Sequence, residues 1–308
     1  MIINQKKFTN PIYYELLKYK LIKKKNLRII NKDTRDIKNL NVIQDINSKI
    51  IFLKKKVTDD KYYEIYNEDK KIKNIKKISY TRIKNKNTIV SASLNDDLRR
   101  FFTFKKYLKN KIVLDFGCGW GGFLSKIKNA KKIYGVELRK SCLSLIKKRF
   151  KIINITNNLQ KIPEKVDLIT MFHVLEHMPY QLKILKDIKN KLKKNGKIII
   201  EVPHANDFLL QFAELKSFRD FTFWSEHLIL HTKKSLEKIL KIAGFKKIKI
   251  QYFQRYDFNN HIGWFVKNIP GGHDFYKNLG DFEINQQYKN FLIKKEKTDT
   301  LIAIARSN

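Results

Sequence analysis

Four of the chain's eleven glycines fall within six residues, Gly117-Cys118-Gly119-Trp120-Gly121-Gly122, and this loop restricts the fold more than any other feature. It follows at once on Ile112-Val113-Leu114-Asp115-Phe116, which reads as a short buried strand. Glycine suits positions where a backbone turns sharply or approaches another group closely. Around the loop, strand-like and helix-like segments alternate with short connections. Helical patterns cover 96–109, 122–129, 140–149 and 179–192, the last stopped by Gly196. Strand patterns cover 132–137, 151–155, 167–171 and 197–202. Such repeated units predict a doubly wound parallel α/β sheet. A further helix runs from Thr232 to Ala243, with Gly244 as its stop. Two last strand candidates, 245–253 and 300–305, have no evident helix between them. They predict a terminal hairpin that makes the sheet mixed, interrupted by an insert at about 254–298.

Residues 1–92 differ, with neither glycine nor histidine. Alternating runs at Lys49-Ile50-Ile51-Phe52-Leu53 and Lys77-Ile78-Ser79-Tyr80 suggest strands. The cluster Tyr62-Tyr63-Glu64-Ile65-Tyr66 suits covering a core. The expected organisation is a small extension over 1–92 and a main domain over 93–308.

Gly117, Gly119 and Gly122 satisfy G-x-G-x-x-G between a strand and an expected helix, and Glu137 ends the next strand. A glycine turn with a nearby helix N-terminus holds nucleotide-like cofactors, and an acid at the second strand accepts from ribose hydroxyls. The pattern alone suits NAD and S-adenosylmethionine about equally. Three features separate them. Asp115, two residues before the first glycine, suits a cationic ammonium and sulfonium better than a pyrophosphate. The loop lies over a hundred residues into the chain, with one mononucleotide-like half after it. The terminal hairpin does not match a dinucleotide-binding fold.

The segment Val113-Leu114-Asp115-Phe116-Gly117-Cys118-Gly119-Trp120-Gly121-Gly122-Phe123-Leu124 resembles motif I of the class I S-adenosylmethionine-dependent methyltransferases. Gly135-Val136-Glu137 resembles their acidic second-strand end. Asp167 to Met178, containing Phe172-His173-Val174-Leu175-Glu176-His177, resembles the fourth-strand motif of the "VLEH" branch. Asn195 to Pro203 is similar to that branch's fifth strand, and Ala243-Gly244-Phe245 to its last helix turn. The resemblance runs in order over about 94–306. It implies a mostly parallel seven-stranded, Rossmann-like methyltransferase sheet with an antiparallel terminal strand. It implies that Asp115 and the Gly117, Cys118 and Gly119 backbone hold the cofactor's amino-acid half. Glu137 then takes the ribose diol, Leu138 packs on adenine, Asn158 lies near the adenine edge, and Phe172 and His173 lie between cofactor and acceptor. Trp120 stands where the family has a small residue.

All seven histidines lie between His173 and His273, in the half where this family builds acceptor sites. Histidine can take a proton near neutral pH. His227, beside Glu226, is the first candidate for a base or acceptor-orienting group, then His204 after Pro203, with His173 at the strand tip. His177 is expected to pack in the first turn of a helix. His173-x-x-Glu176-His177, followed by a later histidine, has metal-ligand chemistry. VLEH is nevertheless common in branches without a metal, and none is expected. Insert residues Gln254, Arg255, Tyr256, Asn260, His261, Trp264 and His273 resemble a segment of methyltransferases from bacterial surface-glycan gene clusters. So do Ala205-Asn206-Asp207-Phe208-Leu209 and Phe223-Trp224-Ser225-Glu226-His227. A sugar-binding face and a structural lid both suit the insert.

Charge is the remaining signal. The 308 residues hold 66 Lys+Arg against 29 Asp+Glu, a net +37. Of the 66, only ten are Arg, and Lys, Ile and Asn together make 125 residues, as an A/T-rich coding sequence would give. The excess is spread along the chain, without the basic stripe of a nucleic-acid reader. Two cysteines cannot form a disulfide framework, and no apolar run reaches the roughly 18 residues of a membrane span. The expected protein is a cytoplasmic methyltransferase acting on a small polar acceptor, a sugar or nucleotide-sugar, by O-methylation. A nucleic-acid methyltransferase and a non-catalytic binding partner are the alternatives.

Overall fold

Strands that read as near-continuous apolar runs must be covered on both faces, as in parallel sheets. The structure, a computed structural model, describes residues 8–59, 82–84, 87–89 and 92–307. The aromatic run at 62–66 and the strand expected at 77–80 lie outside those residues. The strands in chain order are β1 (Leu27–Asn31), β2 (Val42–Asp45), β3 (Ile51–Leu53), β4 (Arg82–Lys84), β5 (Asn87–Ile89), β6 (Ile112–Phe116) and β7 (Lys132–Val136). They continue with β8 (Ile153–Thr156), β9 (Val166–Phe172), β10 (Leu192–Pro203), β11 (Ile229–Leu230), β12 (Lys246–Phe253) and β13 (Thr300–Arg306). Seven of them form a mixed sheet in the order β12-β13-β10-β9-β6-β7-β8, with antiparallel strands at the edge. This is the doubly wound, Rossmann-like fold expected.

The described residues fall into two compact units. One comprises those of 58–172, 186–199 and 306–308. Within it β6 pairs in parallel with β7 and β9, and β7 with β8. The register sets Asp115 opposite Gly135 on one side and Thr170 on the other. Val113, Leu114 and Ile169 are wholly buried. Successive strands leave β6 in opposite directions, so the glycine loop lies at the switch point where open α/β sheets bind ligands.

The α-helix expected over 122–129 is instead a single 3₁₀ turn, Leu124–Lys126. The Ser125 hydroxyl donates to the Gly122 carbonyl at 2.7 Å, the acceptor a helix would need for Lys126. The Lys126 amide turns to Phe123 and that of Ile127 to Leu124, each at 3.1 Å. A side-chain donor has displaced a backbone one.

The other unit comprises the described residues of 1–57, 173–185 and 200–305. Its four-stranded sheet, β1-β2-β3-β11, takes three strands from the N-terminal segment and the fourth from residues 229–230. The helix Pro11–Lys18 begins with Asn10, whose side chain accepts from the Ile12 amide, and with proline at its start. The same Asn10 amide donates to the Leu53 and Leu228 carbonyls at 2.8 and 3.0 Å, tying helix, β3 and the approach to β11 together. Ile12, Leu16, Ile43 and Phe52 share one core with Ala205, Phe223 and Leu228.

The insert between β12 and β13 holds three helices, Phe258–Lys267, Gly272–Phe275 and Phe282–Lys294, where the sequence showed none. Asp257 and Asp281 cap the two longer ones, accepting from Asn260 and Ile284 amides at 2.8 Å. Paired asparagines and Gly263 weaken the first helix by propensity. Packing explains the glycine, since a Cβ there would lie 2.5 Å from the Gly272 Cα. Likewise His177 lies in a 3₁₀ turn, Leu175–His177, and the following helix starts at Gln181, because Met178 precedes Pro179 and is extended.

Candidate functional site

The glycine loop is held by its own amides. Gly117 and Cys118 donate to the Val136 carbonyl at 2.8 and 3.1 Å, and Gly119 donates to Glu137 Oε2 at 2.8 Å. Three amides are thereby used within the protein, and no α-helix follows to present its N-terminus. The loop is therefore a poor site for a pyrophosphate. Gly119 has φ +54°, which a side chain tolerates poorly. Gly122 is needed for space: a Cβ there would meet Asp97 Oδ2 at 1.9 Å.

Asp115 is 4% exposed, and its Oδ1 accepts from the Thr170 hydroxyl at 2.6 Å. Burial pushes its carboxyl up to about 7 against the Thr170 bond and the Arg100 charge. A buried carboxyl in that state gains most from an arriving cation. Glu137 also accepts from the Arg139 amide at 3.0 Å and its Nε at 3.3 Å. The Arg139 guanidinium lies 5.6 Å from the Trp120 ring centroid, which accounts for how the loop accommodates that residue. Cys118 is buried beneath the loop, its thiol raised well above the usual range by burial, so it serves through its backbone. Leu138 is half-buried. Asn158 is exposed and caps the 3₁₀ turn Leu159–Lys161, accepting from the Gln160 amide at 2.8 Å. Phe172 is buried, stacked on Phe104 with centroids 5.9 Å apart.

Two residues of this region were missed in the sequence. Asp97 and Arg100, on the helix Ala92–Phe104, bring a carboxylate to Gly122 and a guanidinium 4.6 Å from the Phe172 ring centroid. Burial raises Asp97 to about 6, with Arg100 opposing. Their three-residue spacing on a helix was the available signal.

In the other unit, His173 has φ +55°, a strained conformation for a non-glycine residue of the kind that gathers at functional sites. Its Nδ1 lies 3.1 Å from Glu176 Oε1, and its Nε2 lies 3.2 Å from Glu201 Oε1 and 3.3 Å from Arg255 Nη1. Protonated, Nε2 donates to Glu201. Deprotonated, it accepts from Arg255. Burial pulls the His173 pKa down, but the two carboxylates outweigh it and hold it above the ordinary value. Glu176 is wholly buried; burial opposes its charge, yet His173 brings it down to about 2. Glu201 and Arg255 are thus neighbours of His173 that their spacing in the sequence could not reveal.

His227 stands with His177, ring centroids 5.0 Å apart, and with Trp224 at 5.4 Å. The N-terminal segment supports this loop: the Arg35 guanidinium lies 4.1 Å from the Trp224 centroid, and Asp36 accepts from the Ser225 amide at 3.1 Å. Burial, then the His177 charge, holds His227 down at about 3, too weak a base for its expected role as proton acceptor. His204 is 2% exposed, its Nδ1 bonded to the Thr298 carbonyl at 2.8 Å, and burial takes it down to about 4. Its placement serves the loop after β10, not an acceptor. In the insert, Asn260, His261 and Trp264 are buried, and His261 Nδ1 pairs with the Tyr288 hydroxyl at 2.8 Å. Those residues build the insert's core, whereas Tyr256 is 40% exposed and Arg255 partly so.

The doubly wound sheet, the switch-point glycine loop and the buried Asp115 define a methyltransferase-type α/β protein. The family described as "Methyltransferase domain" matches residues 87–250, over half of the chain, and the chain belongs to it. It is 34% identical over 143 residues to an uncharacterized protein of Methanocaldococcus jannaschii, covering 45% of this chain and 56% of that protein. It is 30% identical over 109 residues to a ubiquinone biosynthesis O-methyltransferase of Coxiella burnetii, covering 32% and 46%. The chain thus spans about half the length of the curated relatives it matches. Among solved structures it is similar to a SAM-dependent methyltransferase from Archaeoglobus fulgidus, with 21% identity, TM-score 0.48, and 70% and 94% of the two chains covered.

Proposed function

We propose that this chain is a cytoplasmic S-adenosylmethionine-dependent methyltransferase that methylates a hydroxyl oxygen of a small polar acceptor, a sugar or sugar-linked intermediate of polysaccharide biosynthesis. Asp115 and the carbonyls of Gly117, Cys118 and Gly119 would hold the amino-acid half of the cofactor. Glu137 would take the ribose, with Leu138, Asn158 and Phe172 around the base and sulfur. The fit rests on the buried, cation-seeking Asp115 and on a loop whose amides are already used. When bound, S-adenosylmethionine supplies an electrophilic methyl group on a sulfonium.

The observation that carries oxygen as the target is His173, with a carboxylate within reach of each ring nitrogen. A nitrogen acceptor needs little beyond alignment. A sugar hydroxyl needs a proton acceptor. His173 Nε2, released from Glu201 and neutral, would take the acceptor's hydroxyl proton, and Glu201 and Glu176 would stabilise the resulting imidazolium. Arg255 and Tyr256 supply a polar and an aromatic contact suited to a sugar. The Coxiella relative is itself named for an oxygen acceptor.

The test pairs calorimetric binding of S-adenosylhomocysteine with transfer of label from S-adenosylmethionine to a panel of nucleotide-sugars. Asp115→Ala combined with Glu137→Ala should weaken binding roughly a hundredfold, the loss of two charge-assisted contacts. Unchanged affinity sinks the cofactor site. Label that enters RNA instead, with a steep salt dependence, supports the nucleic-acid reading.

A further inference from the structure

Glu176, His177 and His227 converge beside the proposed base, and only Glu176 Oε1 is engaged with it. One ligating atom of each lies within 4.8 Å of the others. Glu176 is buried, while the two histidines are partly exposed, so the group has a solvent side. A second observation is independent of that spacing. Glu176 Oε2 and His227 Nδ1 are buried atoms with no hydrogen-bond partner among the described residues. Leaving such atoms unsatisfied costs about 1–3 kcal/mol each, more for a charged group, and native proteins rarely do so. A carboxylate oxygen has only lone pairs to offer, and a neutral imidazole has one bare nitrogen. One positive centre satisfies them together.

We infer that Glu176, His177 and His227 form a mononuclear site for a divalent transition metal. Two imidazoles and one carboxylate match zinc and its neighbours, whereas magnesium and calcium take oxygen-only sets. Bond lengths of about 2.0–2.2 Å bring ligand atoms to roughly 3.5 Å apart, which small rotations of the side chains achieve from the present spread. The surroundings resemble a built outer shell. Glu176 Oε1 stays engaged with His173, and Glu226 Oε2 lies 3.9 Å from His177 Nδ1. The Leu228 amide donates to the Glu176 carbonyl at 2.9 Å, locking the two ligand-bearing segments together. Such partners orient ligands and raise affinity. Three protein ligands leave a position for an oxygen donor, and the acceptor hydroxyl has that chemistry; this last step alone rests on the function proposed above.

The experiment uses the full chain, stripped with a chelator and titrated with zinc chloride by calorimetry, with visible spectra recorded after cobalt(II) addition. The expected result is one ion per chain and cobalt bands of a low-coordinate nitrogen–oxygen site. His227→Ala and Glu176→Gln should each weaken zinc binding roughly a hundredfold or more, while His273→Ala, on a side chain 45% exposed, leaves it unchanged. Circular dichroism melts confirm that each variant folds, and His177→Gln replaces any that does not. Absence of saturable binding, or equal affinity in wild type and His227→Ala, overturns the site. S-adenosylhomocysteine affinity of the metal-free protein is measured in parallel, so failure of the metal site and failure of the cofactor site are read separately.

Discussion

The glycine loop and the histidine–glutamate group handle polar atoms in opposite ways. At the loop, three successive amides are paired within the protein, and Glu137 is bonded through both oxygens. In the group around Glu176, a carboxylate oxygen and a ring nitrogen are buried without hydrogen-bond partners among the described residues. The first region is preorganised by backbone and asks little of its ligand beyond positive charge. The second keeps strain and unmet lone pairs, as sites do where bonds are to be exchanged. The residues proposed to recognise and those proposed to react are therefore built to different rules in this chain.

That contrast can be broken most severely at His173. His173→Ala should lower turnover by about 10²–10⁴-fold, while S-adenosylhomocysteine affinity stays within about twofold, because the residue belongs to the reacting region alone. Equal losses in both measurements would merge the two regions. A smaller effect concerns pH. Asp115 holds its proton up to about 7 in the folded chain. As pH rises from 6 to 8 the carboxylate forms, and affinity for cationic S-adenosylmethionine should increase roughly tenfold, an increase that Asp115→Asn abolishes. The same shift stabilises the fold fully below the ordinary aspartate range, and that contribution is lost as pH climbs through about 7. Titration calorimetry at three pH values reads the first effect, and denaturant midpoints read the second.

Gly119→Ala places a side chain at φ +54° and 3.3 Å from an Arg139 nitrogen. It should cost about 1 kcal/mol, close to fivefold in cofactor affinity. The smallest expected effect on cofactor binding comes from Asn10→Ala. It leaves the Leu53 and Leu228 carbonyls without their donor and uncaps a helix, costing about 1–3 kcal/mol of stability. Thermal melting should fall by several degrees. Turnover should fall more than S-adenosylhomocysteine affinity, since the N-terminal segment braces the His227 loop.

Legibility followed the same division. The placement of Gly117, Gly119, Asp115 and Glu137 could be read because it is local: a strand end, a turn, the next strand end. The failures were also local in origin. Ser125 took the carbonyl that would have continued a helix, and Asn259, Asn260 and Gly263 hid one behind poor propensities. His204 and His261 look reactive as letters, but both are buried, His204 bonded to the Thr298 carbonyl and His261 to Tyr288 and Gln254. Glu201 was passed over, and Arg255 was read only as part of the insert, because both meet His173 only in the folded chain.

The amino-acid order by itself determined the alternation of strands and helices, the switch-point loop and the acidic residues flanking it. Apolar periodicity and glycine stereochemistry act over a few residues, so neighbours in sequence suffice to express them. Tertiary structure alone decided that the N-terminal segment completes its sheet with residues 229–230. It also decided that Glu176, Glu201 and Arg255 meet at the His173 imidazole and that His177 and His227 join Glu176. Those encounters join segments up to about two hundred residues apart, and only the burial of shared apolar surface, which no local pattern encodes, brings such distant side chains within bonding distance.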